Sequence, residues 1–225
     1  MMARSSDSRP LGLLGGTFDP VHFAHLRLAE EACETLNLAQ VALIPAGTPP
    51  HRDTPGSSAE HRLAMVEQAV AGNPRLRCED LEVRATGRSY TVLTLERLRE
   101  REGTGRPLVL ILGADAFAGL PAWHRCEELL GLAHIAVANR PGHDRQWIQA
   151  MPSKLAHLCG DRVTHEPAAL RASPAGAIVP FDMTPLSISA THIRNLVAHG
   201  RSPRYLLPDS VVDYIGRHFL YRGTR

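Results

Sequence analysis

The chain has 225 residues, 44% of them hydrophobic and 21% charged, which supplies enough apolar surface for a sizeable core and excludes whole-chain disorder. Its formal charge is +2, from 25 Lys and Arg against 23 Asp and Glu, so nothing in it resembles a general nucleic-acid-binding surface. Lys154 is the one lysine; an arginine bias of that kind follows genome composition more often than function, although guanidinium forks do suit phosphate recognition.

The opening Met1 to Pro10 is polar and lacks the apolar stretch of a secretory signal, and no run approaches the roughly 18 apolar residues of a membrane span. Residues 1–10 are read as a flexible N-terminus and 11–225 as one domain whose end, about 187–225, is helical. Leu11 to Leu14 is predicted as the first strand, Val41 to Ile44 as the second, Leu108 to Leu112 as a central one and Ile135 to Ala138 as another. Between them Val21 to Leu38, Ala59 to Ala71 and Thr91 to Glu102 carry apolar residues at helical spacing. Pro167 to Ala177 reads as a surface connection, followed by a short strand at Ala177 to Phe181. Helices are expected near Thr191 to His199 and Asp209 to His218. Short apolar runs alternating with amphipathic helices predict an α/β fold: a Rossmann-like, doubly wound parallel sheet with helices on both faces and a C-terminal helical segment.

The four cysteines, Cys33, Cys78, Cys126 and Cys159, lie far apart without a CxxC pair, which argues against a zinc site or disulfide framework and for a reducing cytosol. A cytoplasmic protein with neither membrane nor nucleic-acid partners is expected; its oligomeric state is not legible.

Two stretches carry chemistry. The first is GGTFDPVHFAH, Gly15 to His25, where the first strand passes into a helix. Glycines at such a turn let the backbone approach phosphates, and the helix N-terminus adds free N–H groups and partial positive charge, so Gly15, Gly16 and Thr17 form a candidate phosphate cradle. Pro20 can pre-set the helix start and Asp19 can cap it. His22 and His25, three apart in the first turn, project toward one side as a protonatable donor pair for phosphoryl oxygens. A metal pair and two ordinary surface histidines are the competing readings, and a zinc site would need a third ligand.

The second stretch is ISATHIR, Ile188 to Arg194, directly before an apolar-periodic helix. Ser189 or Thr191 can serve as N-cap, but capping does not explain Arg194, which one turn in can join the hydroxyls around an anion.

With these two motifs in this order, the chain resembles the nucleotidyltransferase superfamily marked by a GxFDPxHxGH-like first loop and a late ISxTxxR-like motif. The specific resemblance is to nicotinate mononucleotide adenylyltransferases and spans Leu11 to Arg222. It rests further on PAGTPPHR (Pro45 to Arg52), RSYTVLTL (Arg88 to Leu95), GADAF (Gly113 to Phe117), LPAW (Leu120 to Trp123), NRPG (Asn139 to Gly142) and LLPDSVVDYI (Leu206 to Ile215). It implies a cytosolic enzyme of NAD biosynthesis that transfers the adenylyl group of ATP to nicotinate mononucleotide, giving deamido-NAD and pyrophosphate. His22, His25 and Arg194 would be catalytic, and Gly15, Gly16, Thr17, Phe18, Gly113, Asp115, Ile188, Ser189 and Thr191 would bind ATP. His51, Arg52, Tyr90, Thr91, Trp123, His124 and Arg140 would bind the mononucleotide, with backbone N–H groups near Thr91 and His124 receiving its carboxylate. Mg²⁺ would enter through the ATP phosphates and water rather than a carboxylate cage. Ala24 replaces the usual Gly of HxGH, and Arg52 stands where Lys is common, exchanging a point donor for a fork. Taken singly, Tyr90 and Trp123 read better as core aromatics, and their joint occurrence in family order overrides that reading. Transfer to a different acceptor, such as phosphopantetheine or a polyol phosphate, stays open, as does ATP sensing without turnover.

Overall fold

A computed structural model describes residues 8–49, 55–139 and 151–223. Six strands, β1 (Leu11–Gly16), β2 (Gln40–Pro45), β3 (Leu76–Cys78), β4 (Leu108–Gly113), β5 (His134–Asn139) and β6 (Ile178–Asp182), form one sheet in the order β3-β2-β1-β4-β5-β6. All its pairings are parallel. This is the strand order of a doubly wound sheet, with its switch point between β1 and β4. The expected α/β architecture is therefore the observed one.

Period-two alternation along continuous apolar strands feeds two cores. Leu14, Val41, Leu43, Val109, Ile111 and Val179 face one side. There they meet α1 (Phe23–Thr35), α2 (Ala59–Val70) and the C-terminal helices α9 (Ala190–Ala198) and α10 (Asp209–Arg217). Leu11, Leu13, Ile44, Leu110, Leu112, Ile135 and Val137 face the other. That side is covered by α4 (Thr91–Glu102), the short helices α5 (Ala114–Ala118) and α6 (Leu129–Leu132), and α7 (Ser153–Cys159).

Several local expectations need correction. Helix α1 starts at Phe23 rather than Val21, because His22 is its N-cap with extended backbone and Val21 lies fully buried ahead of it. The segment read as a surface connection contains a further turn of helix, α8 (Ala169–Ala172), whose Leu170 is fully buried in the core. The edge strand β3 and the short α3 (Leu81–Arg84) were not expected. Among the described residues no helix is long and apolar enough to cross a membrane, and all four cysteines are free thiols.

Pairing at the switch point positions the site. Strands β1 and β4 are in register only through Leu13↔Leu110. Beyond that, Leu14, Gly15 and Gly16 pair solely toward β2, and Leu112 and Gly113 toward β5. A crevice therefore opens between the carboxyl ends of the two central strands.

Candidate active site

The crevice is lined on the β1 side by Leu13, Gly15, Gly16 and Thr17, on the β4 side by Leu110 and Leu112, and at its outer end by Thr91, Thr94 and Trp123. The candidate phosphate cradle and part of the candidate acceptor pocket thus share one continuous cavity.

The first loop is held from several directions. Phe18, 2% exposed and left-handed at φ 51°, lays its ring over Gly16 and meets His25 edge to face at 5.0 Å. A bulky residue in that backbone region costs about 1 kcal/mol or more, which the surrounding contacts must offset. Asp19 does not cap α1. Its carboxylate accepts from Gly56 N–H at 2.7 Å, from the Ser57 hydroxyl at 2.6 Å and from the Tyr221 hydroxyl at 2.8 Å. Burial pushes the Tyr221 phenol up from its ordinary value, so it stays a donor. The one acidic side chain of the first loop is therefore committed to holding the chain together.

His22 and His25 come together as expected, their rings stacked with centroids 3.7 Å apart. The His22 backbone N–H donates to His25 Nδ1 at 3.3 Å, which leaves the His25 ring proton on Nε2 in the neutral tautomer. The buried His22 ring is not a ready proton carrier. His22 is 5% exposed, its Nδ1 has no hydrogen-bond partner among the described residues, and burial pushes its pKa down from 6.5 to about 4. It is neutral near pH 7.

Ser189, not Thr191, caps the late helix: its hydroxyl accepts from His192 N–H at 3.2 Å. Arg194 donates through Nη1 to the Asp19 carbonyl at 2.7 Å and through Nη2 to the Thr191 hydroxyl at 3.3 Å. The late motif is thereby fastened to the first loop across 175 residues of sequence. Ile188 lies elsewhere, lining a separate groove with Phe23, Leu26 and Tyr205. Gly113 caps α5 and Asp115 sits exposed in its first turn, at the end of β4.

At the other end of the crevice Trp123 is half-buried against the second core, as is Tyr90. The Tyr90 and His124 rings lie 4.4 Å apart, His124 being exposed. Tyr90 occupies the N-cap of α4 without a side-chain cap bond, and Thr91 is the first helical residue. The N–H groups of that first turn have no acceptor within the helix. His51, Arg52 and Arg140 fall outside the described residues.

Two residues that the sequence did not single out shape the crevice. Glu82 lines it, accepting from the Thr94 hydroxyl at 2.7 Å, and burial pushes its carboxyl up against the pull of the Thr94 and Ser89 hydroxyls. Buried Arg62 reaches under the first loop from α2. Gly47 admits no side chain, since a Cβ there would lie 2.2 Å from the Glu82 carbonyl oxygen. Gly47→Ala should cost about 1–3 kcal/mol of stability through overpacking. Thermal unfolding checks this: an unchanged midpoint would mean that the loop shifts freely.

The cytidylyltransferase-like family profile matches residues 13–196 of the chain. A protein of Dechloromonas aromatica named "Probable nicotinate-nucleotide adenylyltransferase" is 55% identical over 217 residues, which is 96% of this chain and 100% of that one. The chain belongs to the nicotinate-nucleotide adenylyltransferase family. This makes it a nucleotidyltransferase of NAD biosynthesis. A Pseudomonas putida protein of the same name is 48% identical over 99% of both chains. The Plasmodium falciparum nicotinic acid mononucleotide adenylyltransferase complexed with NaAD superposes with a TM-score of 0.68, covering 95% of this chain and 97% of that one. At 16% identity that likeness concerns the fold.

Proposed function

We propose that the enzyme binds ATP along Gly15 to Phe18 and the start of α1, binds nicotinate mononucleotide toward α4 and Trp123, and joins them in the crevice between. The observation that carries this is the continuity of the crevice, since Gly15, Gly16 and Thr17 line the same cavity as Thr91 and Trp123. A phosphate oxygen of the mononucleotide attacks the α-phosphorus of ATP, a new P–O bond forms, and the bond to the β-phosphate bridging oxygen breaks. Deamido-NAD and pyrophosphate result. The attacking oxygen is already anionic near neutral pH, so no general base is required.

Positioning and preorganised donors do the remaining work. Arg194, fastened by the Asp19 carbonyl, holds positive charge against the phosphate loop. His25 donates through Nε2, and His22 becomes a full cation once the triphosphate sits over it. Gly113, Asp115, Ser189 and Thr191 contribute further contacts to the nucleotide. The first-loop carboxylate is committed to Gly56, Ser57 and Tyr221, so it offers no cage for a metal; a Mg²⁺ would enter with the triphosphate and would supply charge neutralisation for the leaving group. The free N–H groups at the start of α4, aided by the helix dipole, receive the carboxylate of the nicotinate ring. Trp123 and Tyr90 flank that ring, with His124 beside Tyr90. The enzyme works in the cytoplasm.

The test is pyrophosphate release with ATP and Mg²⁺, supplying nicotinate and nicotinamide mononucleotides in parallel. Preference for the acid is expected. Preference for the amide would overturn the carboxylate site at α4, and no release with either would move the acceptor elsewhere. Trp123→Ala should raise KM for the mononucleotide by about tenfold while leaving that for ATP unchanged, stacking on a base being of that order. A drop in thermal stability alone would leave Trp123 as a core aromatic.

A further inference from the structure

Arg62 sits near the start of α2, where helical periodicity would place an ordinary polar residue, yet it is 1% exposed. It has no ion-pair partner among the described residues; Asp19, Glu60 and Glu82 act on it from longer range. Its guanidinium is instead given to backbone. Nη1 donates to the Thr17 carbonyl at 2.9 Å and the Ala46 carbonyl at 2.5 Å, and Nη2 donates to the Gly47 carbonyl at 3.0 Å. Nε finds no acceptor among the described residues. A buried, unpaired cation is an expensive way to fill space, and an apolar side chain would fill it better. What only a planar fork supplies is several donors in fixed relative positions.

The three carbonyls belong to two loops with different tasks. Thr17 lies in the phosphate loop, next to left-handed Phe18. Ala46 and Gly47 begin the loop that leads to Pro49 at the acceptor end of the same crevice. The loops also touch directly, Ala46 N–H donating to the Gly16 carbonyl at 2.9 Å. The amide side of the second loop has its own anchor: the Ser89 hydroxyl oxygen accepts from Gly47 N–H at 2.9 Å and Thr48 N–H at 3.3 Å. Ser89 therefore grips the acceptor loop alone, whereas Arg62 grips both.

We propose that Arg62 is a positioning residue that sets the spacing between the ATP loop and the acceptor loop, and so the in-line approach of the two substrates. This rests on the functional reading above. Displacements of about 1 Å in such geometry can cost as much as a hundredfold in rate. The decisive comparison is Arg62→Met, Arg62→Lys and Ser89→Ala against the unaltered enzyme, varying MgATP and nicotinate mononucleotide separately, with circular dichroism to confirm folding. Arg62→Met should raise both KM values and lower both kcat/KM values by about tenfold or more, while Ser89→Ala raises KM for the mononucleotide alone. Lysine should restore only part of the loss, being a point donor that cannot span three carbonyls. A folded Arg62→Met enzyme with both KM values unchanged and only its melting temperature lowered would overturn the inference. Should the methionine variant fail to fold, Arg62→Lys decides: kcat/KM lowered for both substrates supports the proposal, lowered for neither overturns it. If the unaltered enzyme releases no pyrophosphate, the functional reading fails on its own. Titration of MgATP then tests Arg62, weaker binding to Arg62→Lys supporting its hold on the phosphate loop and equal binding removing it.

Discussion

His25→Ala should lower kcat by about a hundredfold, the usual consequence of deleting one preorganised donor, while KM for the mononucleotide stays within about twofold. The expectation follows from how the ring is held. The His22 backbone N–H occupies Nδ1, the His22 ring stacks on one face and Phe18 meets it edge to face, so the ring is held in place with its neutral-form proton on Nε2. A donor fixed in this way gains most when negative charge builds on the departing pyrophosphate, which places its effect in turnover rather than in ground-state binding. His25→Gln, which retains a neutral N–H donor at similar reach, should recover part of the rate. Steady-state measurement of pyrophosphate release checks both variants. Unchanged turnover in His25→Ala would remove His25 from the catalytic set and leave it as packing for Phe18.

The features legible in the sequence are those written locally. Strands β1, β4 and β5 are buried on both faces, and a strand of that kind shows as an unbroken apolar run. The Gly-rich turn after β1 and the hydroxyl at the start of α9 are equally local, and Ser189 does cap that helix. Strand β3 escapes the same reading because only Leu76 of its three residues is fully buried, leaving no period to detect. The misreading of Asp19 has a different origin. Its partners lie 37, 38 and 202 residues away, and a residue beside Pro20 looks like a cap until those partners are in place. Arg62 is the extreme instance: in an amphipathic helix an arginine reads as solvent-facing, and only the tertiary arrival of Thr17, Ala46 and Gly47 turns it inward. Motif spacing could make His22 a candidate phosphate contact. It could not say that burial strips the ring of its proton.

On the proposed placement of ATP beside His22, that last property predicts proton uptake on ATP binding. The folded-state pKa of His22 is lowered from 6.5 to about 4 by burial, so between those values the unfolded chain binds a proton that the folded, unliganded enzyme does not. Stability present above pH 6.5 is therefore lost as pH falls toward 4, by about 3 kcal/mol at roughly 1.4 kcal/mol per pH unit. Buried His134 adds in the same direction, since burial also lowers its pKa; its Nδ1 accepts from Ala177 N–H and its other ring nitrogen pairs with the Ser173 carbonyl, an arrangement suited to the neutral ring. A triphosphate over His22 reverses the balance locally by favouring the imidazolium, so the liganded pKa rises. ATP affinity should then increase by up to about tenfold per pH unit as pH falls through the window between the liganded and free values. Calorimetric titration in buffers of different ionisation enthalpy should record proton uptake by the unaltered enzyme near pH 6.5 and less uptake by His22→Gln. Protonation of the γ-phosphate itself is common to both proteins and cancels in the comparison. Equal uptake by the two would mean that His22 stays neutral in the complex and serves ATP only as a neutral hydrogen-bond donor.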